Sequence, residues 1–97
     1  MRQKEFKQWM MGEQRYYLGK WDYYTENAVD SRLSCLLRLE SYFKIDLDSK
    51  VLNFETAKQF LTDIRNAKIE DLAHTPLSNA FRHYYKFATG ETIEKIF

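Results

Sequence analysis

The chain has 97 residues, of which 44% are hydrophobic and 30% charged, and its net charge is +1. That balance fits one folded domain with one core and excludes both a disordered chain and a protein held on nucleic acid by bulk charge alone. Its only cysteine, Cys35, excludes an intrachain disulfide and a thiolate metal cluster.

Further classes are narrowed by pattern. No apolar run approaches the roughly 18 residues that span a bilayer, and the opening "MRQKEFKQW" has no apolar signal core. We expect a cytoplasmic protein that does not enter a membrane. Three Gly and one Pro are too few for an all-β fold with many turns. The charge is uneven: residues 1–20 carry five basic and two acidic side chains, so the basic bias sits at the N-terminus.

In chain order, "EFKQWMMG" puts Phe6, Trp9 and Met10 at i, i+3 and i+4, with Gly12 as a stop. The spacing predicts a short helix over 3–11. Residues 13–25, "EQRYYLGKWDYYT", have no helical period and read as an ordered aromatic loop; a small hairpin across "YYLGKWDYY" is the second reading. Its rings are expected mostly to cover the core. The other expectation is a partner-binding or base-stacking patch made of Tyr16, Tyr17, Lys20, Trp21 and Tyr23.

The longest helix is expected from about Glu26 to Lys44. Thr25 or Asn27 caps it; Val29, Leu33, Leu36, Leu37 and Phe43 fall on one face, with Leu39 at the border. Glu40 lies near the middle of that face, so it should be paired or should cap a neighbouring helix. Asp46 and Asp48 resemble the start of a calcium loop, but Val51 and Ala57 occupy the positions where that loop needs Gly and Glu. They are assigned to a loop and capping role. Asn53 caps the next helix, about 54–66, lined by Ala57, Phe60, Leu61 and Ile64. A short turn is expected around "IEDLA".

The last main helix is announced by Thr75–Pro76 and closed by Gly90 as a left-handed cap. Leu77, Ala80, Phe81, Tyr84 and Ala88 form its core face, with Phe87 at the edge. Arg82, Tyr85, Lys86 and Thr89 form an exposed strip with Ser78 beside it, and His83 flanks the strip as a partly exposed helper or a packing residue rather than a metal ligand. Like charges four residues apart are mildly unfavourable in an isolated helix, and a polyanion would reverse that sign. "ETIEKIF" is expected to add a last helical turn or two, with Ile93 and Phe97 packing back. No nucleophile–base pair, Gly-rich phosphate loop or zinc spacing occurs, so we expect no enzyme activity, cofactor, metal or small-molecule substrate.

Two segments, "ENAVDSRLSCLLRLESYFKIDLD" and "TPLSNAFRHYYKFATGE", resemble the first long helix and the last helix of the SAM-like core-binding domain of tyrosine recombinases, the N-terminal region of phage integrases. "FETAKQFLTDIRNAK" sits where that family has its middle helix, and "FKQWM" is similar to its short leading helix. The likeness spans about residues 5–90. It implies an all-α, compact four- to five-helix bundle over residues 1–97. It also implies a non-catalytic DNA-binding module, either stand-alone or the N-terminal part of an integrase- or nuclease-like protein of a mobile element. By position, duplex DNA would be met by Arg82, His83, Lys86, Tyr85, Ser78, Asn79, Ser31 and Arg32. The chain departs from the family in its longer aromatic loop, its lower charge and its lack of the catalytic domain. The alternative is a protein-interaction module, a phage-type inhibitor or adaptor, acting through the Tyr/Trp-rich loop.

Overall fold

The computed structural model describes residues 1–69 and 74–94. Helix α1 (Gln3–Met11) is followed by strands β1 (Gln14–Tyr17) and β2 (Lys20–Tyr23), helix α2 (Glu26–Phe43), a 3-10 turn (Leu47–Lys50), and helices α3 (Phe54–Asn66) and α4 (His74–Thr89). The fold is mostly helical, yet it is not strictly all-α, because residues 14–23 form an antiparallel hairpin. No helix among the described residues is long and apolar enough to cross a membrane.

Local chemistry sets the helix ends. Thr25 Oγ1 accepts the Ala28 amide at 3.2 Å, and Asn53 Oδ1 accepts the Thr56 amide at 2.9 Å. Such caps each contribute about 1 kcal/mol. Gly90 (φ 78°) follows α4 and returns its amide to the Lys86 carbonyl at 2.8 Å. Helix α4 already includes Thr75 and Pro76, so Thr75 lies inside the first turn rather than before it. The expected turn at "IEDLA" falls largely on residues 70–73, outside the described residues. Residues 91–94 are not helical; Ile93 is nonetheless buried, while Phe97 lies outside the described residues.

Helix α4 is central and packs against α1, α2 and α3. An aromatic chain joins the layers: Phe43 meets Phe60 and Phe60 meets Phe81, while Phe6, Trp9, Tyr84 and Phe87 cluster beneath α1. The Tyr84 hydroxyl donates to Asp48 and accepts the Arg2 amide at 2.9 Å. Burial, then the bond to Asp48, pushes its pKa up to about 12, so it stays a donor.

Glu40 does what its position on the apolar face required. Its Oε2 accepts the Leu47 amide at 2.9 Å, capping the 3-10 turn, and lies 3.0 Å from the Met1 ammonium. Asp46 caps the same turn through the Asp48 amide. The α2 stripe is rotated from expectation: Leu39 is fully buried and Leu37 is 44% exposed. Val29, Leu36 and Phe43 pull the centre of the stripe toward Leu39, leaving Leu37 on its far shoulder.

Candidate functional site

Two surfaces compete, the hairpin and the outer side of α4. The hairpin turns through Leu18 (φ 52°) and Gly19 (φ 82°). Two successive positive φ angles make the tight turn whose twist matches paired strands. Glycine accepts that conformation freely; leucine is strained there by roughly 1–2 kcal/mol. Leu18 is also 83% exposed, so packing within the chain does not explain it.

Register decides which rings share a face. Gln14 pairs with Tyr23 and Tyr16 with Trp21; Arg15 pairs with Asp22 and Tyr17 with Lys20. Partners directly opposite lie on the same side of the sheet. One face therefore carries Tyr16, Trp21 and Tyr23, with Tyr16 and Trp21 edge to face at 5.6 Å. The other carries Arg15, Tyr17, Lys20 and Asp22, with the Arg15 guanidinium 5.0 Å from the Tyr17 ring. All of Tyr16, Tyr17, Trp21 and Tyr23 are more than half exposed, Trp21 by 66%. The expectation that these rings cover the core is corrected. A two-stranded ribbon has too little area to fold over a core and still keep its ladder, and alternation points half its side chains away from any support.

The base of the hairpin, by contrast, is tied down. The Glu13 amide bonds to the Met10 carbonyl, and the Tyr24 amide bonds to the Glu13 carbonyl. Tyr24 is half-buried, with the Arg32 guanidinium 4.8 Å and the Arg15 guanidinium 5.1 Å from its ring centre. Its ring meets His83 edge-on at 5.7 Å. Tyr24 and Glu13 were not singled out from the sequence. A signal existed for Tyr24: it stands just before a helix cap, where a staple residue packs. Nothing in the sequence marks Glu13.

The strip expected on α4 is broken by the structure. Tyr85 is 2% exposed and Ser78 is 7% exposed, its hydroxyl buried without a partner among the described residues. Both are corrections: a helix packed on several sides buries a wider arc than an amphipathic surface helix does. Arg82, His83 and Lys86 remain together on the wall of a cleft of about 570 Å³, facing Glu13, Tyr24 and Glu94. Lys86 Nζ lies 3.4 Å from Glu13 Oε1, and Arg82 donates to Asn79 Oδ1. Ser31 is exposed and borders a smaller hollow with Arg32, Cys35 and Asn79. Burial, reinforced by Arg32, Arg82 and Lys86, lowers the His83 pKa to about 4. Its imidazole is neutral at pH 7 and brings no charge to an anion.

Comparison with known proteins returns no matching family model, no matching curated protein and no matching solved structure.

Proposed function

We propose that the protein is a non-catalytic binding module that presents the tip of its β-hairpin to a protein partner. The observation that carries this reading is Leu18, a bulky residue strained at positive φ and turned to solvent at the turn of a hairpin whose one face carries the exposed Tyr16, Trp21 and Tyr23. Strain and exposed rings on one hairpin are costs that folding does not recover, and binding is the process that recovers them. Tyr and Trp supply large rigid contact area at low entropic cost. Lys20 and Arg15, on the reverse face, favour a partner whose apolar groove has an acidic rim.

The test is site-specific photo-crosslinking in the cell of origin. A crosslinker at Tyr16 or Tyr23 should trap one discrete protein species, and a crosslinker at the exposed Gln59 on α3 should not. Leu18→Asn combined with Trp21→Ala should abolish the adduct while the circular dichroism spectrum is unchanged. Equal labelling from Gln59 would remove the proposal.

Duplex DNA is the second reading, supported by the resemblance to recombinase core-binding domains and by Arg82 and Lys86 sharing one wall. It predicts binding that weakens steeply between about 50 and 200 mM salt and is lost in the Arg82→Ala, Lys86→Ala double variant. Glu13 and Glu94 on the same cleft oppose a polyanion, which is why the hairpin reading stands first.

A further inference from the structure

The cleft beside α4 holds positive charge that the protein's own side chains leave only partly answered. Arg82 donates to Asn79 Oδ1, and Arg32 Nη1 donates to the Ala28 carbonyl at 2.9 Å; both acceptors are neutral. Arg32 Nε is buried without a hydrogen-bond partner among the described residues. Of the three cations around His83, Lys86 alone meets a carboxylate among the described residues, Glu13. Asn79 borders both the cleft and the smaller hollow lined by Arg32, so it marks the ground between the two guanidinium groups. Burial is the main reason that His83 stays uncharged, and the cations that add to it, Arg32, Arg82 and Lys86, also favour an anion at that place. Burial lowers the Arg82 pKa too, and a partly desolvated guanidinium gains most from a fitting counter-charge.

Two features select the class of anion. Glu13 and Glu94 line the same cleft, and they repel a dianionic phosphate more strongly than a singly charged carboxylate. Tyr24 and Ile93 give it an apolar wall, and about 570 Å³ is space for an organic body rather than a bare ion. We infer that this cleft binds a monocarboxylate with an apolar body: the carboxylate lies between Arg82 and Arg32, and the body lies against Tyr24 and Ile93. A free organic acid and the C-terminus of a peptide share this chemistry. The site stands apart from the hairpin tip and does not depend on the proposed partner.

The experiment is an NMR titration of the full chain with 3-phenylpropionate, observed at the His83 and Tyr24 ring protons. Saturable shifts at both rings are expected, together with a rise in the His83 pKa as the bound carboxylate offsets its cationic neighbours. The uncharged analogue 3-phenylpropionamide should leave both rings unmoved, a comparison made on the unaltered protein and so independent of folding. Arg82→Gln should weaken binding at least about tenfold, as expected for loss of a charge-assisted bond, and Arg82→Lys should restore part of it. Trp21→Ala should change nothing, so this inference and the hairpin reading fail separately. A tripeptide ending in a free phenylalanine carboxylate, tested against its C-terminal amide, identifies the source: tighter binding than 3-phenylpropionate assigns a peptide end, weaker binding a free acid. The inference is overturned by no saturable shift up to about 20 mM, well beyond millimolar affinity. Equal binding of the amide, or equal or tighter binding of phenyl phosphate, overturns it as well.

Discussion

The hairpin at residues 14–23 and helix α4 draw on the same residue types, Tyr with Arg or Lys, and place them oppositely. In the hairpin the rings stand in solvent on both faces, and the cations lie over or beside them. In α4, Tyr84 and Tyr85 are buried, and the cations are left at the rim of a cleft. The difference comes from neighbours. Helix α4 touches three other helices, so nearly every ring it offers finds a surface. The hairpin is fixed at its base, through Glu13 and Tyr24, and the rings of its strands stand exposed. Aromatic composition therefore carries no position by itself; the number of packed sides decides whether a tyrosine stabilises the fold or is available to a partner.

The largest effect is expected from Tyr85→Lys. Placing an ammonium where Tyr85 is buried should destabilise the fold by about 4 kcal/mol or more, seen as a collapse of the urea midpoint. A change under about 0.5 kcal/mol would return Tyr85 to an exposed strip. Next comes acid. Because the folded His83 pKa is depressed to about 4, both states hold a neutral imidazole above pH 6.5 and nothing is lost there. As pH falls from 6.5 toward 4, the unfolded chain takes the proton first. Stability should then drop by about 2–3 kcal/mol, complete below that window. His83→Gln should remove this component from the pH dependence of urea unfolding.

The hairpin should respond in the opposite sense. Leu18→Asn places a residue that tolerates positive φ in the turn, and should raise stability by about 0.5–1 kcal/mol. The same change should weaken partner capture, a trade expected of a strained contact residue and not of a merely poor turn. Trp21→Ala is the smallest expected effect on the fold. Loss of its edge contact with Tyr16 should cost under about 1 kcal/mol by urea titration. A larger loss would mean that the hairpin tip supports the core after all.

The helices were legible because their signals are local. A cap at Thr25 and at Asn53, a 3.6 period through Ala57, Phe60, Leu61 and Ile64, and a left-handed Gly90 each act within one or two turns of chain. Glu40 was legible for the same reason: a carboxylate in an apolar stripe must find a partner, and the amide it accepts is Leu47 in the following turn. The hairpin was less so. "LG" is a weak turn signal beside Asn-Gly, and aromatic residues suit a buried sheet as well as an exposed one. The candidate site was legible only in part. Arg82, His83 and Lys86 do share one wall, but Glu13 and Tyr24 arrive from the hairpin base, distant in sequence, to complete it.

Local signals in the chain fix where α2 and α3 start, which side chains of α3 face inward, and that Glu40 needs a partner, since hydrogen bonds and periodicity operate between near neighbours. Tertiary structure alone decided that Tyr85 and Ser78 go inside while Trp21 and Leu18 stay out. Burial depends on how many elements surround a residue, and that number is set by chain segments far away in sequence.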